Sequence, residues 1–133
     1  MVDTIHHVAL SVTDLDRSAA WYEDLFGVVP VLTEESPGRR GAVYRFPDSQ
    51  LMLGLVQHGA GRAPRFDPTV IGLDHVAWTV DDLETIDGWA RRLESLGVEH
   101  SGVVETAVGA ILNFRDPDGI QLAFYWDADP DLD

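Results

Sequence analysis

The sequence predicts an α+β fold in which two βαβββ modules follow one another along the chain. The first observation is an internal repeat: residues 7–15 read HVALSVTDL, and residues 75–83 read HVAWTVDDL, 68 positions later. Trp21 and Trp89 keep the same separation. The second observation is that each copy passes from a β-branched run to helical spacing and then to three short apolar runs. A repeat of this length in 133 residues indicates one folding unit present twice.

The first module is expected at residues 5–57. Residues 5–12 are apolar and β-branched, which favours a strand, and Thr13 and Asp14 can cap the helix that follows. Helical spacing of apolar residues begins at Leu15, and Gly27 stands where a helix commonly ends. Three further strands are predicted at 28–33, 41–46 and 51–57, with polar turns at 34–40 and 47–50.

The second module is expected at residues 73–126, after a link at 58–72 that is rich in glycine, alanine, arginine and proline. Asp81 or Asp82 is the predicted cap of its helix, which ends at Gly97. Its strands are predicted at 73–80, 98–103, 110–114 and 120–126, and an acidic tail occupies residues 127–133.

The composition excludes several classes of function. Nine basic and 23 acidic residues give a net charge of −14, which argues against nucleic acid and anionic membrane surfaces as partners. There is no cysteine, so disulfides, thiolate metal sites and cysteine nucleophiles are excluded. No apolar run approaches the ~20 residues that span a bilayer, and the start lacks the pattern of a signal peptide. The expectation is a cytoplasmic protein that acts on, or binds, a small molecule.

Three stretches carry a resemblance to a known family: residues 7–15, residues 75–83, and residues 116–122, which read DPDGIQL. With them, the chain resembles the vicinal oxygen chelate superfamily over about residues 5–126. That group includes glyoxalase I, bleomycin-resistance proteins, fosfomycin-resistance enzymes and type I extradiol dioxygenases. The resemblance implies that each module curls its sheet into a half-barrel, that two half-barrels enclose a pocket for metal, substrate or drug, and that the protein is a homodimer. A fold alone does not choose among these functions.

The resemblance also implies where a metal would bind. In metal-dependent members, the ligands come from the start of the first strand and the middle of the last strand of each module. His7 and His75 match the first pair of positions, whereas Gly54 and Ala123 stand at the second pair, where those members commonly have glutamate. This implies a divalent ion (Fe, Mn, Ni or Zn) with an incomplete ligand set. Two imidazoles rarely hold such an ion tightly without a third protein ligand.

Three groups are candidates for the missing ligand. His58 follows Gly54 by four residues and Tyr125 follows Ala123 by two, so strand alternation points each pair to one face. A substrate oxygen is the third candidate. His58 is the preferred protein ligand, which makes the predicted metal set His7, His75 and His58.

Small side chains are expected beside the histidines, which leaves room for a ligand. The inward residues of the first strand of each module are His7, Ala9 and Ser11, and His75, Ala77 and Thr79. The predicted substrate contacts are Met52, Gly54, Tyr44, Gln121, Ala123 and Tyr125.

Two functions follow from these residues. The first is a glyoxalase-like or dioxygenase-like enzyme, in which a divalent metal on the two histidines acts as a Lewis acid. Classical glyoxalase I activity is not expected, because that chemistry needs the missing glutamate. The second is a metal-free protein that binds or sequesters a small molecule, similar to the bleomycin-resistance branch. The absent glutamates favour the second function and the retained histidines favour the first.

Overall fold

The computed structural model describes residues 1–47, 49–60 and 65–129. The chain forms two compact units, Met1–Pro64 and Arg65–Asp133, which divide within the predicted link. Parts of three predicted segments lie outside the described residues: Asp48 in the turn at 47–50, residues 61–64 in the link, and residues 130–133 in the tail.

The first unit contains one helix and four strands: β1 (His7–Ser11), α1 (Leu15–Phe26), β2 (Pro30–Ser36), β3 (Arg39–Arg45) and β4 (Met52–His58). The helix has the predicted bounds because local signals set both ends. The Asp14 carboxylate accepts a hydrogen bond from the backbone N–H of Arg17 at 3.2 Å. Gly27 adopts φ 65°, a left-handed conformation that is open to glycine because it has no Cβ.

The first sheet has the strand order β1-β4-β3-β2, so the first and last strands of the unit are neighbours. β1 and β4 run parallel, with Ala9 opposite Gly54, and the other two pairs are antiparallel. One face of the sheet packs on α1 and forms the core of the unit. Its buried side chains include Leu10, Leu25, Tyr44, Leu53 and Leu55.

The second unit repeats this arrangement with β5 (Val76–Thr79), α2 (Leu83–Ser95), β6 (His100–Thr106), β7 (Gly109–Arg115) and β8 (Gln121–Asp127). Its sheet order is β5-β8-β7-β6, with β5 and β8 parallel and Ala77 opposite Ala123. Asp82, one of the two predicted caps, accepts a hydrogen bond from the backbone N–H of Thr85. The core of this unit contains Ile86, Leu93, Leu112, Leu122 and Phe124. The α+β fold of two tandem βαβββ modules is therefore confirmed.

Two hairpins are longer than predicted. β2 continues to Ser36 and β3 begins at Arg39, so most of the predicted turn at 34–40 is strand. The polar residues there point outward from a paired backbone, and Glu34 forms an ion pair with Arg39 at 2.8 Å. In the second unit, β6 extends to Thr106 and β7 begins at Gly109. In the described part of the chain, neither helix has the length and apolar character needed to cross a membrane.

Candidate functional site

Each sheet has one face on its helix and one face turned away from it, which we call the open face. In the first unit, the Gln57 side chain accepts a hydrogen bond from the N–H of Leu15, so Gln57 marks the helix side. In the second unit, Phe124 stacks on Trp89 of α2 with ring centroids 4.5 Å apart. We call β4 and β8, the strands next to β1 and β5, the central strands. Because side chains alternate along a strand, the open face carries Met52, Gly54, Val56 and His58 of β4 and Gln121, Ala123, Tyr125 and Asp127 of β8.

The middle of each open face is lined by small side chains. Gly54 lies between Ala9 of β1 and Val43 of β3, and Ala123 lies between Ala77 of β5 and Asn113 of β7. Gly54 and Ala123 therefore occupy equivalent places in the two sheets. A Cβ at position 54 would lie 3.3 Å from the Cβ of Ala9, which is a tight contact. Any larger side chain at Gly54 would thus require its neighbour to move.

The two equivalent histidines are each held at Nδ1 by the residue before them. The Nδ1 atoms of His6 and His7 lie 2.9 Å apart. The Nδ1 atom of His75 lies 2.7 Å from a carboxylate oxygen of Asp74. In both cases Nε2 remains for another partner. The preceding residue is neutral or cationic in the first unit and anionic in the second, so the duplicated histidines differ in their electrostatic surroundings.

In each unit, an arginine and the histidine lie in the same row, which is a line of paired residues that crosses three neighbouring strands. In the first unit, Met52 lies opposite His7 on one side and Arg45 on the other. In the second unit, Gln121 lies opposite Arg115. Val76 pairs with Leu122 in parallel register, so the residues before them, His75 and Gln121, also lie side by side. The Arg45 guanidinium lies 4.0 Å from the sulfur of Met52, and Nε of Arg115 lies 3.4 Å from Oε1 of Gln121. Both arginine side chains therefore lean over the central strand of their sheet.

His58 lies at the far end of the open face from His7. His7 is opposite Met52, and His58 is six residues further along β4. At about 3.3 Å per residue, this separation is about 20 Å. The expectation that His58 completes a metal site with His7 is corrected by this distance, because no single ion can bridge it. Tyr125 is four residues beyond Gln121, about 13 Å along β8, and is likewise remote from His75.

Tyr44 lies in the core and not on the open face. It is 1% exposed and its hydroxyl donates a hydrogen bond to Glu23 of α1 at 3.2 Å. Burial raises the pKa of the Tyr44 phenol, and the nearby Glu23 carboxylate raises it further. The prediction of a substrate contact is corrected for this residue: Tyr44 is opposite Leu53, which also faces the helix.

The side chains near the histidines fit a tightly held divalent ion poorly. Among the described residues, no three histidine, aspartate or glutamate side chains are grouped so that they could share an ion. On the open face, His7 lies opposite Met52, whose sulfur is 4.0 Å from the Arg45 guanidinium, and a cationic group near a metal ion is repulsive. The positions where the family resemblance implies glutamate hold Gly54 and Ala123.

Arg45, Arg115 and Asp74 were not recognised from the sequence as site residues. A second repeat marks both arginines, because residues 45–48 read RFPD and residues 115–118 read RDPD. Each arginine thus ends a strand two residues before a proline. The separation of these motifs is 70 residues and not 68, so a search at one fixed offset misses them.

Comparison with known proteins identifies relatives along most of the chain. A family model described as "Glyoxalase/Bleomycin resistance protein/Dioxygenase superfamily" matches residues 4–124. Metallothiol transferase FosB of Shouchella clausii (strain KSM-K16) is 27% identical over 90% of this chain and 77% of its own. Uncharacterized protein YaeR of Escherichia coli (strain K12) is 30% identical over 91% of this chain and 94% of its own. Biphenyl-2,3-diol 1,2-dioxygenase 3 of Rhodococcus globerulus is 27% identical, and the chain spans 57% of its length.

Solved structures show the same fold. A glyoxylase/bleomycin resistance protein/dioxygenase domain from Frankia sp. EAN1pec superposes with a TM-score of 0.89 at 30% identity, over 96% of this chain and 99% of that one. TnmS3, an antibiotic binding protein from Streptomyces sp. CB03234, has a TM-score of 0.73 at 20% identity, over 95% and 97%. A FosX variant from Listeria monocytogenes, complexed with Mn(II) and a dihydroxypropylphosphonic acid, has a TM-score of 0.71 at 18% identity, over 94% and 90%.

Proposed function

This chain belongs to the glyoxalase/bleomycin resistance protein/dioxygenase superfamily, and from that premise we propose that it is a binding protein for a small organic molecule that needs no metal. The observation that carries the proposal is the pair Gly54 and Ala123. They stand in the middle of the open faces, at the places where the resemblance puts metal-binding glutamates. Their side chains, a hydrogen atom and a methyl group, take up little of the face and supply no charge for a cation. TnmS3, which binds an antibiotic, provides a precedent for binding on this fold.

The experiment that tests this proposal measures metal content and ligand binding together. Untagged wild-type protein is treated with chelator, offered Zn²⁺ and Mn²⁺, and analysed by ICP-MS. We expect no stoichiometric metal, and we expect members of an aromatic compound library to raise the melting temperature of the chelator-treated protein. Stoichiometric metal in the wild type, or ligand binding that requires added metal, would overturn the proposal.

A gain-of-function variant sharpens the test. Ala123→Glu adds a carboxylate on the open face near His75, so we expect it to raise Zn²⁺ affinity above that of the wild type. Thr106→Glu is the matched control, because it adds the same charge to an exposed residue at the other edge of the same sheet. Equal metal uptake by the two variants would show that the added charge acts non-specifically, and that the missing carboxylate does not limit metal binding.

A metal-dependent enzyme is the second candidate, and one observation favours it. The carboxylate of Asp74 holds His75 at 2.7 Å, as carboxylates often hold histidines whose other nitrogen binds a metal. The relative FosB is a metallothiol transferase, and a FosX structure contains Mn(II). In this function His7 and His75 would supply imidazole ligands and the ion would polarise a substrate oxygen. Metal lost in both His7→Ala and His75→Ala would select this candidate.

The homodimer implied by the family resemblance is part of the proposal. Light scattering coupled to size-exclusion chromatography measures the mass of the particle, and the mass of one chain is 14.7 kDa. Twice that mass is expected.

A further inference from the structure

We infer that each open face recognises an organic anion through one matched pair, His7 with Arg45 in the first unit and His75 with Arg115 in the second. This inference rests on the proposed function and names its ligand class: a small molecule that carries a carboxylate or phosphonate group. Each pair occupies one row of its sheet, with one residue of the central strand between its members. We call these the His–Arg pairs.

The spacing within each His–Arg pair suits an oxyanion. The two residues are separated by two strand spacings, which is about 10 Å between Cα atoms. The arginine side chain leans across the central strand, where Arg45 reaches Met52 and Arg115 reaches Gln121. The guanidinium is thereby brought toward the histidine strand. A planar guanidinium can donate two parallel hydrogen bonds to a carboxylate or phosphonate, and an anion held between the two side chains can also contact Nε2 of the imidazole.

Both arginines are available for an external anion. Among the described residues, neither Arg45 nor Arg115 forms an ion pair, although the chain carries 23 acidic residues. Arg39 and Arg40, on the same strand as Arg45, are each paired with carboxylates within 3.5 Å. Within the part of the chain that the structure describes, these two arginines at equivalent places have no carboxylate partner, so each is a local cationic site in a strongly acidic protein.

The rest of each open face suits the remainder of such a ligand. Met52 and Val43 offer partly exposed apolar surface in the first unit, and Ile111 and Tyr125 do so in the second. A mostly apolar surface with a few polar groups at one end favours an amphipathic molecule whose charged group is held at that end. The carboxylate of Asp74, beside the second His–Arg pair, is engaged by His75.

The test compares three probes that share a phenyl ring. Benzoate and phenylphosphonate carry the anionic groups, and benzamide is the neutral control of similar shape. Each is titrated to about 10 mM, a range that detects weak binding, while the NMR signals of backbone amides and arginine Nε–H groups are recorded. We expect at least one of the two anions, and not benzamide, to shift the signals of Arg45 and Arg115. The anion that binds more tightly distinguishes a carboxylate ligand from a phosphonate ligand.

Matched variants assign the effect to the His–Arg pairs. Arg45→Gln and Arg115→Gln should each weaken anion binding at their own unit by about tenfold or more, because each removes a charge-assisted hydrogen bond. Arg39→Gln is the control: it removes the same charge from the open face of β3, but at the opposite end of the strand. The melting temperature of each variant shows that it is folded.

The possible outcomes separate this inference from the proposed function. Equal binding of benzamide and benzoate, or equal loss of binding in Arg39→Gln and Arg45→Gln, overturns the anion inference and leaves the binding function in place. Failure of both anions to shift any signal of the four residues also overturns the inference. The proposed function itself is judged by the compound library and the metal analysis, which do not depend on ligand charge.

Discussion

A buried serine in the helix distinguishes the core of the first unit from that of the second. Ser18 of α1 is fully buried, and its Oγ has no hydrogen-bond partner among the described residues. The corresponding residue of α2, 68 positions later, is Ile86, which is also fully buried. A buried hydroxyl without a partner costs about 1–3 kcal/mol relative to an apolar group of similar shape. The repeat thus shows that the equivalent buried place in the second unit holds an apolar side chain, and that the polar Ser18 departs from this pattern.

We predict that Ser18→Ala raises the free energy of unfolding by about 1 kcal/mol, because it removes the unpaired hydroxyl and favours the helix. Urea unfolding followed by circular dichroism measures the change. Ser95→Ala is the control, since the Ser95 hydroxyl is exposed and already donates to the carbonyl of Arg92. Destabilisation by Ser18→Ala would show that the hydroxyl has a partner that stabilises the native protein.

Gly54 and Ala123 lie in the last strand of each module, as predicted, whereas the sequence did not indicate where Tyr44 and His58 lie relative to the helix and to His7. Alternation along a strand defines two faces, yet it does not say which face meets the helix or how far two residues lie apart across the sheet. Those facts depend on which strands pair. Once His7 is opposite Met52 and Tyr44 is opposite Leu53, both positions follow directly.

At the scale of elements, the start of α2 should be sensitive to acid. The hydroxyl of Thr85 and then its backbone N–H donate to Asp82, and both bonds lower the pKa of the Asp82 carboxyl below 3.8. The cap therefore stabilises the helix fully above the ordinary aspartate pKa. Its contribution is lost as the pH falls through the lowered value, because protonation removes the charge that accepts these bonds.

We predict that Asp82→Ala lowers the melting temperature by a few degrees at pH 7 and by less near pH 2. Asp82→Asn is the control, since asparagine also caps helices but does not titrate in this range. Its stability at pH 7 should be close to that of the wild type. Thermal unfolding at a series of pH values measures both variants; an Asp82→Ala effect that stays constant down to pH 2 would contradict the role of the charged cap.

Helices were predicted more accurately than strands because their ends are set by local chemistry. The first turn of each helix is capped by an aspartate, Asp14 or Asp82, and a glycine with positive φ follows the last turn. Strand ends depend on a partner elsewhere in the sequence. The run 34–40 is polar and has the composition of a turn, but Glu34 and Glu35 pair with Gly41 and Arg40 in the hairpin.

At the scale of the whole molecule, the net charge of −14 opposes the compact state through repulsion among carboxylates. We predict that the melting temperature rises when NaCl increases from about 0.01 M to about 0.1 M, since the screening length falls from about 30 Å to about 10 Å. Differential scanning calorimetry measures the shift, and choline chloride controls for specific sodium binding. A fall in melting temperature would show that ion pairs such as Arg40 with Asp16 outweigh the repulsion.

The order of helices and strands along the chain was predictable from the sequence because the repeat shows it twice. The His–Arg pairs were not, because they join residues from the first and third strands of each sheet. Their members are 38 to 40 positions apart in the sequence and come together only through the intervening strand. Recognition of such a row requires the strand order, which no local pattern contains.

The parallel pairing of β1 with β4 has a consequence for synthesis. The first strand leaves the ribosome with its hydrogen-bonding edge unmatched, and its partner emerges only with residues 52–58. Until then the nascent chain holds a helix, a hairpin and an unpaired strand that can associate with other chains. Each sheet takes all of its strands from its own unit, so the first sheet can form while the second unit is still being translated. A pause in translation before β4 would prolong exposure of that edge, whereas a pause just after it would allow the first unit to fold.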